Sequence, residues 1–223
     1  MGKLIIIEGT DGSGKQTQTQ KLYNRLVNNG INVKKISFPN YNSDASVLVK
    51  MYLSGKFGSK PTDVNAYTAS TFYGIDRYAS YKLEWEIEYL SDYVIISDRY
   101  TGSNMIHHGS KIDDEIEKEK YLNWLEDLEF NKFELPRPDL TIFLNVPIEY
   151  TFNLMKNRDN KFTGDSKKDI HERDEEYLKK SYYNALNIAR EKNWKIINCV
   201  VDNNMLSIDD IHELIYDEVK ELL

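Results

Sequence analysis

Lys15 sits within the stretch Gly9-Thr10-Asp11-Gly12-Ser13-Gly14-Lys15-Gln16-Thr17, whose residue types suit an anion. Glycines tolerate positive φ and let backbone N–H groups approach a phosphate closely. The lysine supplies a mobile point charge for β and γ phosphates, and a helix starting here adds its positive dipole end. The spacing follows the pattern G-x-x-x-x-G-K-[ST] except at its last position. There Gln16 replaces the hydroxyl that ordinarily ligates Mg²⁺. A glycine-rich turn with no ligand is the plain alternative. The apolar run before the stretch (4–7) and the helix formers after it (16–28) argue for a nucleoside triphosphate site.

A second group is Ser97-Asp98-Arg99-Tyr100, at the end of the apolar run 93–97. In open α/β sheets, ligands bind beyond the carboxyl ends of strands. Asp98 there suits the water shell of a metal, and Arg99 suits a bidentate grip on phosphate. The bland alternative is a surface ion pair. A third group is Thr71-Phe72-Tyr73-Gly74-Ile75-Asp76-Arg77, where Tyr73 and Arg77 are four apart and share a helix face. A ring beside a guanidinium suits a nucleobase. An amphipathic helix with a core tyrosine fits the same spacing.

These groups need elements to hold them at one edge. Short apolar runs at 4–7, 33–38, 93–97, 140–146 and 195–201 read as strands. Segments 16–28, 46–53, 65–90, 112–130, 148–158, 174–192 and 208–222 read as helices. The alternation predicts an α/β fold, a parallel five-stranded sheet between two helical layers. With neither repeat nor linker, 1–223 is expected to be a single domain. Residues 157–169 combine glycine, lysines and polar residues with almost no apolar anchor, and read as a mobile lid. The connection 135–139 is held by Pro136 and Pro138.

A net charge of −7 and a pI near 5.2 argue against a non-specific nucleic-acid binder. Anionic substrates must then be captured by local clusters of Lys and Arg. Cys199 is the single cysteine, lies in an apolar run and excludes a disulfide framework. The N-terminus enters a strand at once, no myristoylation pattern follows Met1-Gly2, and no run is long enough to span a membrane. A cytoplasmic location with neither nucleic-acid nor membrane partner is expected. His107-His108 are adjacent but lack companion cysteines, which argues against structural zinc.

Several segments together resemble bacterial thymidylate kinases in order and spacing, from Lys3 to about Trp194. They are Glu8-Gly9-Thr10-Asp11-Gly12-Ser13-Gly14-Lys15, Phe38-Pro39-Asn40-Tyr41, Phe72-Tyr73-Gly74-Ile75-Asp76-Arg77, Asp98-Arg99-Tyr100 with Ser103-Asn104, and Pro136-Arg137-Pro138-Asp139-Leu140. The resemblance implies a phosphate-loop nucleoside monophosphate kinase fold with a lid. It implies phosphoryl transfer from ATP to dTMP with Mg²⁺, in a homodimer that uses long helices such as 65–90. On the acceptor, Asp11 corresponds to an acid near the sugar 3′-OH and the metal. Phe38 and Tyr41 line the monophosphate, with Tyr41 where many members carry an arginine. Tyr73 stacks on thymine, Arg77 reads its O4 and Asn104 contacts the base. Arg99 clamps the acceptor phosphate, and Glu172 lies near sugar and metal. His107 stands where relatives often carry a tyrosine that crowds out a ribose 2′-OH, which bears on deoxyribose selection. Arg158 corresponds to a lid arginine, with Lys161, Lys167 and Lys168 as further lid cations.

Gln16 is shared with a subset of the family. A neutral amide is a poor hard-metal ligand, and Thr17 lies about 100° further round the helix. Mg²⁺ is therefore expected to rest on phosphates, water, Asp98 and Asp11. Two rivals stand beside this reading. A kinase for another deoxynucleotide or a nucleoside shares the loop, but nucleoside phosphorylation needs a carboxylate base, for which Glu8 is the only candidate. A regulatory ATP-binding protein would have no use for Tyr73, Arg77 and Asn104 around an acceptor base.

Overall fold

The computed structural model describes residues 1–155 and 169–223. Strands β1 (Lys3–Glu8), β2 (Val33–Ser37), β3 (Val94–Asp98), β4 (Leu140–Asn145) and β5 (Lys195–Asn198) form a parallel sheet in the order β2-β3-β1-β4-β5. Helices α1 (Lys15–Asn28), α2 (Val47–Leu53), α3 (Ala66–Ser80), α4 (Glu86–Leu90), α5 (Thr101–His107), α6 (Glu115–Glu126), α7 (Ile148–Met155), α8 (Glu175–Glu191) and α9 (Ile208–Lys220) accompany them.

Central strand β1 explains the layering. Its side chains alternate between two covered faces, as a strand's period of two requires. Ile5 and Ile7 join Leu22 and Leu26 of α1 and Ile211, Ile215 and Val219 of α9 in one core. Leu4 and Ile6 point the other way, into an aromatic core of Tyr81, Trp85, Tyr89 and Tyr100. In register, Ile7 lies opposite Asp98 of β3 and Ile142 of β4. Glu8, Asp98 and the glycine-rich loop thus leave the sheet at one edge.

Four expectations need correction. Segment 65–90 is not one regular helix: a π-helical turn, Tyr81–Trp85, separates α3 from α4. The wider i→i+5 turn keeps residues four apart in line, so Tyr81, Trp85 and Tyr89 all reach the aromatic core. Segment 112–130 becomes α6, capped by Asp114, and a π turn, Asp127–Lys132, that carries Glu129 inward. The run 195–201 stops at Asn198, and a small hairpin follows, β6 (Val200–Val201) and β7 (Asn204–Met205). Asp202 and Asn203 turn it with φ of 49° and 59°. Helix α5 was not expected at all. Almost every residue in it is buried, the polar Asn104 and His107 included, so it has no solvent-facing side and no amphipathic period to read.

Helix α7 is described to Met155, and of the expected lid only Asp169 lies within the described residues. Among those residues no helix is long and apolar enough to cross a membrane.

Candidate active site

The glycine-rich loop joins β1 to α1. Gly12 and Gly14 adopt φ of 81° and 82°, in the left-handed region that disfavours any side chain. At Gly14, the N-cap of α1, a Cβ would meet nothing within 4 Å, so conformation rather than space demands glycine. No acidic residue occupies the first turn of α1, leaving its positive end for an anion. Lys15 is buried and curls over the loop, its Nζ 2.7 Å from the Thr10 carbonyl and 3.3 Å from Ser13 Oγ. Gln16 and Thr17 are exposed at the start of the helix.

Beyond β3, Arg99 takes φ of 70°, which costs a non-glycine residue about 1–3 kcal/mol. The turn is held by its N–H on the Ile7 carbonyl at 3.1 Å and by Ser97 Oγ on its own carbonyl at 2.5 Å. It aims the guanidinium back across the loop. Nη2 pairs with Asp11 Oδ1 at 2.5 Å, and Nη1 lies 3.0 Å from Ser103 Oγ, 3.2 Å from His107 Nε2 and 3.4 Å from the Gly9 carbonyl. A guanidinium only donates, so His107 Nε2 accepts and the ring proton sits on Nδ1. Burial, reinforced by Arg99, pushes the His107 imidazole down to about 3. Glu8, fully buried at the end of β1, accepts from Tyr100 N–H at 2.9 Å and Ser103 Oγ at 2.7 Å.

Two adjoining cavities share Asp11, Phe38, Tyr41, Arg99 and Asp169 in their walls. The narrower, about 60 Å³, adds Tyr73, Arg77, Asn104, His107, His108 and His171. The wider, about 500 Å³, adds Gln16, Thr19, Asp98 and Glu172. Chain segments far apart in sequence thus converge on one aromatic-walled recess beside the glycine-rich loop. Burial, with Asp169 adding to it, holds the Tyr41 phenol above its usual range, so it stays a hydrogen-bond donor. Asn104 Nδ2 is tied to the Ser70 carbonyl at 3.2 Å.

Arg77 lines the recess, but Glu129 engages its Nε at 2.7 Å and also its Nη2. Burial alone would lower the Arg77 pKa, and the Glu129 carboxylate outweighs it. Sequence reasoning missed Glu129, which has no local motif. It also missed Asp169, His108 and His171. Asp169 Oδ1 accepts from the amides of His171 and Glu172 at 2.8 and 2.9 Å, an Asx-type turn. Burial, with Asp11 adding to it, pushes Asp169 up to about 7. Behind His171, Tyr52 OH lies 2.8 Å from Nε2 and accepts from Lys111 Nζ at 2.9 Å. Burial pushes Lys111 down to about 7. Arg158, Lys161, Lys167 and Lys168 lie outside the described residues.

The residues fit a hard cation held mostly by other ligands. Asp98 Oδ1 is buried without a hydrogen-bond partner among the described residues, beside a cavity also lined by Asp11, Asp169 and Glu172. Carboxylate oxygens suit Mg²⁺. No group of three or more His, Cys, Asp or Glu among the described residues is arranged to hold a metal ion.

A parallel sheet, a glycine-rich loop between its central strand and a helix, and an adjoining aromatic-walled recess define a phosphate-loop nucleoside monophosphate kinase fold. Residues 7–215 match the family model described as thymidylate kinase. A thymidylate kinase of Sulfurihydrogenibium is 30% identical, covering 99% of this chain and 98% of its own. That of Mycobacterium tuberculosis is 28% identical over 92% of this chain and 95% of its own. The structure of the Candida albicans thymidylate kinase shares the fold at a TM-score of 0.71 and 22% identity, over 99% of this chain and 92% of its own. The chain belongs to the thymidylate kinase family.

Two outcomes follow from the walls of the recess. Glu129→Ala leaves Arg77 buried and unpaired, and urea denaturation should show about 3–5 kcal/mol less stability. Lys111 titrates near 7 when folded and near 10.4 when unfolded. Below pH 7 both states carry the charge. Between about pH 7 and 10 the unfolded state binds more protons, so this group makes stability rise with pH. Lys111→Met should remove that rise when unfolding midpoints are compared from pH 6 to 10.

Proposed function

We infer that this chain, as a single domain, transfers the terminal phosphoryl group of ATP to dTMP, giving ADP and dTDP. The position of Arg99 carries the reading. One guanidinium reaches the glycine-rich loop through the Gly9 carbonyl and Asp11, and also lines the aromatic recess. A cation so placed can grip an acceptor phosphate beside a donor held on Lys15 and the N-terminus of α1.

The acceptor is already an anionic phosphate with a second pKa of about 6, so the reaction needs no general base. The obstacle is joining two polyanions. Lys15 and Arg99 neutralise them and stabilise the charge spread over the transferring group. Asp98 and Asp11 would hold Mg²⁺ partly through water, and the ion when bound supplies charge neutralisation on the phosphates. Tyr41 donates its phenol to the acceptor phosphate. Tyr73 packs on the base, Arg77 and Asn104 meet its polar edge, and Asp11, His107 and Glu172 face the sugar. Arg158 serves as the lid cation. Glu8 tells against a nucleoside kinase, because both its oxygens are occupied by Tyr100 N–H and Ser103 Oγ and it lines neither cavity.

Soluble nucleotide substrates support a cytoplasmic location, and an exposed apolar stripe supports a homodimer. Leu83 and Ile87 are 82% and 79% exposed, and Leu90 continues the same side at helical spacing.

Purified protein assayed for ADP release across a panel of nucleoside monophosphates should respond best to dTMP. Lys15→Ala and Arg99→Ala should each lower kcat by about 10³-fold or more with the fold intact by circular dichroism. Strong turnover of dGMP or thymidine with none of dTMP would sink the reading. For the dimer, light scattering should report twice the chain mass for the parent and a single chain mass for the double variant Leu83→Glu, Ile87→Lys. A monomeric parent removes the dimer.

A further inference from the structure

Arg99 needs support, because its backbone is strained and its head group is the cation on which the recess turns. Glu8 supplies that support from behind the sheet edge. One carboxylate oxygen accepts from the amide of Tyr100, the residue that follows Arg99. The other accepts from Ser103 Oγ, whose oxygen in turn receives Arg99 Nη1 at 3.0 Å. The Arg99 amide is meanwhile bound to Ile7, the residue before Glu8. The end of β1 therefore grips Arg99 before it, after it and at its head group.

The space for this carboxylate is reserved. A Cβ on Gly102 would fall 2.9 Å from Glu8 Oε1 and 2.7 Å from the Trp194 ring. Glu8 lines neither of the two cavities that hold Asp11 and Arg99, but a third cleft on the far side of α5. Among the described residues it lines no cavity that also holds Asp11 or Arg99. Burial raises its pKa, while Arg99, its two hydrogen bonds and Lys15 favour the ionised form.

We propose that Glu8 is a positioning residue, which orients Arg99 for the acceptor phosphate through the Ser103 hydroxyl and the Tyr100 amide. Glu8 Oε2 takes the one hydroxyl proton of Ser103 and so turns that oxygen's lone pairs toward Arg99. Asp11 also holds the guanidinium, but from inside the cavity, where an incoming phosphate competes for the same nitrogens. Glu8 keeps its hold whether the recess is full or empty. An isosteric glutamine breaks this polarity without changing the packing. With its amide nitrogen toward Ser103, it makes the hydroxyl oxygen accept twice, in competition with Arg99. With its oxygen toward Ser103, it sets N–H against the N–H of Tyr100.

The proposal rests on Arg99 as the acceptor clamp, so the experiment separates the two. Steady-state kinetics and calorimetric binding of dTMP and ATP would be measured for Glu8→Gln, Ser103→Ala, their double variant, Ser103→Thr and Arg99→Lys. Glu8→Gln should raise the dTMP KM and Kd by about 10- to 100-fold, the worth of a hydrogen bond to a charged group. The ATP Kd should change by less than about twofold. Ser103→Ala should do the same, the double variant should be no worse than either single one, and Ser103→Thr should stay near the parent. Should Glu8→Gln fail to fold, Glu8→Asp keeps the charge but withdraws the carboxylate, and takes its place in the cycle. Arg99→Lys raising the dTMP KM while the Glu8 variant leaves it unchanged overturns the positioning role and spares the clamp. Additive effects of Glu8 and Ser103 overturn the relay between them. Arg99→Lys with an unchanged dTMP KM removes the clamp, and the proposal with it.

Discussion

Two buried cations, Lys15 and Arg99, have to converge at the carboxyl edge of the sheet without repelling each other or collapsing onto their own counter-ions. The rest of the site follows from this constraint. Asp11 balances Arg99 from inside the cavity, and Glu8 balances both from behind it. The glycine-rich loop bends around Lys15 so that carbonyl and hydroxyl oxygens hold its ammonium group. The backbone turn at Arg99 is strained, and the Ile7 carbonyl and the Ser97 hydroxyl hold it so that the guanidinium points back across the loop.

The walls of the recess avoid adding charge where charge is already concentrated. His107, His108 and His171 sit together, yet burial and neighbouring cations lower all three and keep them neutral. His107 then serves Arg99 as an acceptor. Arg77 is the exception, and Glu129 neutralises it within the core. A residue carrying a full charge thus becomes a rigid wall element rather than a second mobile cation. The chain's overall charge of −7 is compatible with anionic substrates, because these buried cations act over a few ångströms where solvent screening is weak.

Thermodynamic strain and function are coupled through the element joining β3 to the recess. Helix α5 presents Ser103, Asn104 and His107 to the cavity, and its remaining side chains are packed into the core. It is short and almost wholly buried, so tertiary packing rather than helix propensity holds it. The same packing sets Gly102 close against Trp194 and Glu8, leaving no room there for a side chain.

The sequence alone determined the parts whose chemistry is local. The glycines, Lys15 and the helix after them are contiguous, so the strand, glycine-rich loop and helix were legible in sequence. Asp98 and Arg99 were legible because a strand end followed by charge marks a ligand edge in such folds. Tyr73 and Arg77 were legible as one helix face, although spacing could not tell a base-binding face from a core face. Tertiary structure alone decided the partners. Glu129 meets Arg77 across 52 positions, and Ser103 meets Glu8 across 95, and no local pattern encodes either meeting. The π turns that carry Trp85 and Glu129 inward were likewise invisible, because their register is set by the core they fill. Residue types reveal which chemistry is available, but long-range packing decides which charges are paired and where the paired ones point.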